Sequence, residues 1–193
     1  MKAALGDGSL WIWNLVQEHL VGFTPILDFV HLLPYLYAAG QAAFQAQALK
    51  AWKFYEKLLR LAWGGKVAEL LGALEKEAQR LGTPPKDAAE SDPRQILATA
   101  LGYVAKNRDK MDYPHYRREG LPISSAPVES LIKQVKLRVK GTEKFWVHEG
   151  LDAVLQVRAA SLSDDGRLER FWKERPASRA AGRSRFKGQR DAA

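Results

Sequence analysis

Four residues stand out for the chemistry their types and spacing offer. Asp7 lies between Gly6 and Gly8, directly after the apolar run Ala3-Ala4-Leu5. A carboxylate there is displayed at a strand end, and the flanking glycines leave room for a metal ion or phosphate to approach the backbone. The same triplet also suits a plain tight turn. Asp28 and His31 are three residues apart at an expected strand-to-helix junction. They either pair at a site or are a helix-capping Asp with a partly buried His. Glu129 falls in the first turn of an expected helix, where the helix dipole alone favours a carboxylate by ~0.3–1 kcal/mol. It also leads a row in which Lys133, Lys136 and Lys140 follow at helical spacing. Such a row is either solvated surface or a face for a polyanion.

The elements that must position these residues follow from the apolar pattern. Lys2 to Leu5 reads as the end of a short strand, Trp11 to Leu15 as a short helix, and Pro25 to Val30 as a second buried strand ending near His31. From Leu36 to about Leu81 the spacing is helical, with Phe44, Ala48, Trp52, Tyr55, Leu59 and Ala62 on one face as a packing stripe. Gly64-Gly65 divides this stretch into a hairpin whose second helix runs from Val67 to Leu81. Residues 82–93 are rich in turn formers and read as an exposed linker; helical spacing resumes from Arg94 to Asn107, and 111–122 reads as a loop. Ser125 is an expected cap for a helix reaching Val139, with Val128, Leu131, Ile132, Val135 and Val139 as its buried stripe. A further helix spans about Glu149 to Ser161. The stretch from Arg175 onward carries basic residues among small ones and is expected to be a disordered tail.

Composition limits the functions open to such a chain. Its 193 residues suffice for one substantial core with an appendage. Thirty Lys and Arg against 22 Asp and Glu give a formal charge of +8 and a pI near 9.7, which favours a polyanionic partner, nucleic acid first. The absence of Cys excludes a disulfide framework, a thiolate nucleophile and Cys-ligated metal centres. His19, His115 and His148 have no partners at zinc-site spacing, and no Gly-x-Ser-x-Gly elbow supports a serine hydrolase. The most apolar run, Leu20 to Ala39, is interrupted by Pro25, Asp28, His31 and Pro34, so it reads as core rather than a membrane span. A cytoplasmic protein without membrane contact is the expectation.

The run Gly120-Leu-Pro-Ile-Ser-Ser-Ala-Pro-Val-Glu129, continuing through Lys133, Arg138, Lys140, Gly141 and Trp146, resembles the last signature of bacterial insertion-sequence DDE transposases, most closely the ISKra-type group. Gly6-Asp7-Gly8-Ser-Leu-Trp-Ile-Trp13 resembles the segment around that family's second catalytic Asp, and Leu27-Asp28-Phe-Val-His31 its Asp-x-x-His signature. The three motifs stand in the family's order, and the resemblance covers roughly residues 3–173.

The resemblance implies a mainly α chain with a small β component: the C-terminal part of an RNase H-like α/β core carrying a helical insertion. Residues 1–35 would supply remaining strands, 36–120 the insertion, 121–174 the C-terminal helices with Glu129, and 175–193 the tail. In that family three carboxylates hold two Mg²⁺ or Mn²⁺ ions ~3.5–4 Å apart for in-line cleavage and joining of DNA. Asp7 and Glu129 would be catalytic metal ligands, and Asp28 and His31 would support the site. Lys133, Lys136, Arg138, Lys140, Lys144 and Trp146 would meet DNA. The family's first Asp has no counterpart before Asp7, so the expectation is a catalytically incomplete fragment with unpaired strand edges. Its partners would be insertion-sequence ends, target DNA, and another copy or a full-length transposase. The rival reading is a basic, non-catalytic helical protein that binds DNA or regulates a transposase.

Overall fold

A computed structural model of the protein describes residues 1–141, 143–163 and 165–175. These are mainly helical with one small sheet, and they belong to two compact units, Met1–Val128 and a second beginning at Glu129. The residues from 176 onward, including most of the expected basic tail, lie outside the described residues.

In the first unit, β1 (Lys2–Gly6) and β2 (Phe23–Leu27) pair in parallel, joined by helix α1 (Leu10–His19). The register sets Gly6 opposite Leu27, and the Asp28 N–H donates to the Gly6 carbonyl at 2.8 Å. A parallel pair needs such a crossover, and α1 lays Trp13 and Val16 into the core beside it. The second strand is displaced from the expected span. It stops at Leu27 because the Asp28 side chain accepts from the Val30 N–H at 2.8 Å and starts α2 (Phe29–Phe44) there. This helix runs through Pro34, whose ring is exposed and whose missing N–H leaves the helix otherwise continuous.

The expected unbroken helix after Leu36 is also interrupted. At Gln45, φ is +32°, and the chain turns before α3 (Ala48–Trp63). That turn resets the helical phase, so Ala48 and Trp52 face solvent while Ala51, Leu58 and Ala62 are buried. After Gly64-Gly65, α4 (Val67–Leu81) buries Leu70 and Leu74. Residues 82–92 form no helix or strand, and α5 (Pro93–Asn107) is capped by Asp92 and buries Leu97, Ala100, Val104 and Asn107. The expected loop 111–122 contains a short helix, α6 (Tyr113–Arg118), because Asp112 caps it and Tyr113 and Tyr116 turn into the core.

The second unit contains most of α7 (Ala126–Val139), together with α8 (His148–Leu162) and α9 (Arg167–Glu174). None of these three helices has a fully buried residue. The stripe expected to be buried is therefore corrected: Val128, Leu131 and Ile132 are 55%, 40% and 45% exposed, and Val135 and Val139 are half-buried. The periodicity is real, but no apolar layer covers it among the described residues. No helix among them is long and apolar enough to cross a membrane.

Candidate functional site

The parallel register brings two of the sequence-predicted residues together. Asp7 and Asp28 directly follow the last ladder pair, Gly6 and Leu27, so both stand at the C-terminal end of the sheet. Ligands of open parallel sheets bind at that end, where side chains from adjacent strand termini converge. A cleft of about 230 Å³ opens there, lined by Asp7, Gly8, Ser9, His31, Tyr35 and Tyr103.

Asp7 is shaped by its neighbours. One carboxylate oxygen accepts from the Ser9 N–H at 2.8 Å, an Asx turn that leads the chain into α1. Gly8 has φ +95°, and a Cβ there would lie 2.7 Å from the Tyr103 ring, so only glycine fits. The Tyr103 hydroxyl donates to the Asp7 carbonyl at 2.7 Å. Burial pushes the Tyr103 hydroxyl well above its usual range, with the charges of Tyr35, Asp7 and Asp28 adding, so it remains a neutral donor. Its ring stacks on Tyr35 with centroids 3.8 Å apart.

Asp28 serves differently. It is 1% exposed, and both oxygens are engaged: one by the Val30 N–H, the other by the Ser125 N–H at 2.7 Å and the Ser125 hydroxyl. His31 Nδ1 lies 3.4 Å from that second oxygen. Burial alone would raise the carboxyl's pKa, but the Ser125 and Val30 donors and the nearby imidazole together hold it below its ordinary value. Asp28 is thus a helix cap, a partner for His31 and an anchor for residues 123–125, where the Ile123 carbonyl also accepts from the Phe29 N–H. The Ser125 hydroxyl donates to Asp28, and the Ser124 hydroxyl accepts from the Ala126 N–H.

Glu129 lies in the first turn of α7, as its spacing predicted, and in the second unit. Lys133, Lys136, Arg138 and Lys140 are all exposed on the same helix or at its end. Lys144 and Trp146 have partners within the chain: the ammonium donates to the carbonyls of Leu137 and Lys140, and the indole to Val139 at 2.8 Å. They satisfy the carbonyls a helix end leaves open.

The cleft therefore presents one carboxylate, Asp7, and one imidazole, His31. Together these can bind a cation or exchange a proton. Both Asp28 oxygens accept hydrogen bonds within the chain, and no group of three or more His, Cys, Asp or Glu that could hold a metal ion is found among the described residues. Sequence reasoning missed Tyr103, Asn107 and the Ser125 contact. One signal was present, since Asn107 continues the apolar stripe of Leu97, Ala100 and Val104, where a polar side chain implies a buried hydrogen-bond partner. No protein-family model, curated protein or solved structure matches the chain.

Proposed function

We propose that the chain is part of a DDE transposase, contributing strands and helices of an RNase H-like core together with a basic helical segment that meets DNA. The observation that carries this reading is the parallel strand pair whose adjacent C-terminal ends bear Asp7 and the Asp28–His31 pair. Motif order adds to it, because Glu129 follows on a helix bearing Lys133, Lys136, Arg138 and Lys140. In such an enzyme, Mg²⁺ or Mn²⁺ polarises the scissile phosphate and activates its attacker. On this chain Asp7 offers a carboxylate, Asp28 fixes the imidazole and the 123–125 segment, and the exposed cations neutralise phosphates.

Calorimetric titration with Mn²⁺ tests the reading, comparing the unaltered chain with Asp7→Ala and Glu129→Ala. Binding by the unaltered chain that both variants lose is the expected result. Binding that survives both substitutions would remove these residues from the site.

A second reading, a non-catalytic DNA-binding protein or transposase regulator, is favoured by the exposure of the α7 cations. It expects DNA binding indifferent to Mn²⁺ and to both substitutions. Under the first reading, Mn²⁺ tightens DNA binding and Asp7→Ala abolishes that gain.

A further inference from the structure

The helical stretch between the strands and α7 reads in sequence as an appendage, yet it reaches into the cleft. We propose that Tyr103 on α5, backed by Asn107, is a positioning residue for the Asp7 carboxylate. The inference rests on reading Asp7 as the working carboxylate of the site.

Three contacts carry it. The Tyr103 hydroxyl donates to the Asp7 carbonyl at 2.7 Å across 96 positions of sequence, fixing the peptide that follows the Asp7 Cα. The ring of Tyr103 lies against Gly8 so closely that a Cβ at Gly8 would sit 2.7 Å from it and 3.0 Å from the Asn107 amide nitrogen. Asn107 is 2% exposed and bonded at both ends of its amide: the nitrogen donates to the Tyr103 carbonyl at 2.9 Å, and the oxygen accepts from the Trp13 indole at 2.9 Å.

The turn 7–9 is consequently held from both ends. Trp13, on the helix it leads into, is joined to Asn107, and Asp7 itself is joined to Tyr103. Tyr35 stacks on the ring, with centroids 3.8 Å apart, and limits its rotation. A carboxylate on a two-glycine turn would otherwise sample several orientations, because glycine flanks lower the cost of backbone rotation. A hydroxyl anchored on a packed helix removes that freedom in advance.

Tyr103→Phe isolates the effect, since it retains the ring, its stack and its contact with Gly8. The Ser9 N–H, bonded to the Asp7 carboxylate, reports the turn through amide exchange on the whole chain. Loss of one hydrogen bond predicts about fivefold faster exchange at Ser9, with the α5 and β1 amides unchanged. Tyr103→Trp, which restores a ring N–H without the hydroxyl's position, should not recover protection. Wild-type exchange at Ser9 in Tyr103→Phe overturns the proposal and leaves the turn to its own Asx bond. Uniform acceleration across α5 overturns it as well, by showing a general packing role. Mn²⁺ affinity supplies the functional arm: weakening by a similar factor in Tyr103→Phe supports the role, and equal affinity in the two proteins counts against it. Should the unaltered chain bind no Mn²⁺, the metal reading of Asp7 falls, and Ser9 exchange still decides whether Tyr103 sets the turn.

Discussion

Asp28 and Ser125, 97 residues apart, are joined by two hydrogen bonds onto a single carboxylate oxygen, one from the Ser125 N–H and one from its hydroxyl. Asp28 thereby links the end of β2, the start of α2 and the segment leading to α7. A buried carboxylate with that many donors is costly to remove, because each donor is left without an acceptor.

Asp28→Ala should destabilise the first unit by about 3 kcal/mol, combining a lost helix cap with lost charge-assisted bonds. Ser125→Ala, which spares the N–H, should cost about 1 kcal/mol. Urea unfolding followed by far-ultraviolet circular dichroism measures both, and equal losses would contradict the assignment of a cap to Asp28 alone.

The same carboxylate predicts a pH dependence. Its folded pKa lies below the ordinary value of 3.8, so its contribution is complete above 3.8 and is lost as pH falls through the folded value. Stability should fall on acidification below about pH 4, and Asp28→Asn should flatten that part of the profile. A variant profile parallel to that of the unaltered chain would assign the acid sensitivity to other groups.

On the basic face of α7, DNA affinity should be independent of sequence and strongly dependent on salt. If about six phosphates are contacted, the binding constant falls by roughly 10³-fold between 50 and 200 mM salt, because neutralised phosphates release counterions. Fluorescence anisotropy with a labelled duplex reads this directly, and a flat salt response would dismiss the basic face as a DNA surface. Lys133→Ala with Lys136→Ala should reduce the slope by about two counterions.

Leu131→Gln and Ile132→Gln test the uncovered stripe. Both side chains are 40% or more exposed, so each change should alter stability by less than about 1 kcal/mol. A loss of 2–3 kcal/mol, the usual result for a buried position, would show that the stripe is covered in solution.

Much of the chain was legible in sequence because its signals are local. The strand before Gly6, the break at Gly64-Gly65, the linker after Leu81 and the helix carrying Glu129 all follow from turn residues and periodicity. Where tertiary contacts decide, the pattern misled. Helical spacing was expected only from Leu36, yet the cap at Asp28 starts the helix at Phe29 and carries it through Pro34. The stripe drawn through Ala48 and Trp52 ignored the turn at Gln45, which no glycine or proline announces. At the candidate site, Asp7, Asp28 and His31 were legible as individual residues. The tyrosine and asparagine that hold Asp7 were not, because pairing across 96 positions leaves no local trace.

The strand register also governs which insertions the chain tolerates. Side chains alternate between faces along β1 and β2, so one added residue within β2 would exchange the faces on which Ile26 and Leu27 are buried, and one within either strand would move Asp28 out of step with Asp7. Gly22, by contrast, sits at φ +83° with nothing within 4 Å of where a Cβ would be. Lengthening the chain there changes only a loop and leaves both strand ends level. The 21-residue interval from Asp7 to Asp28 is therefore elastic at Gly22 and rigid on either side of it, which marks Gly22 as the place to splice in a tag or reporter.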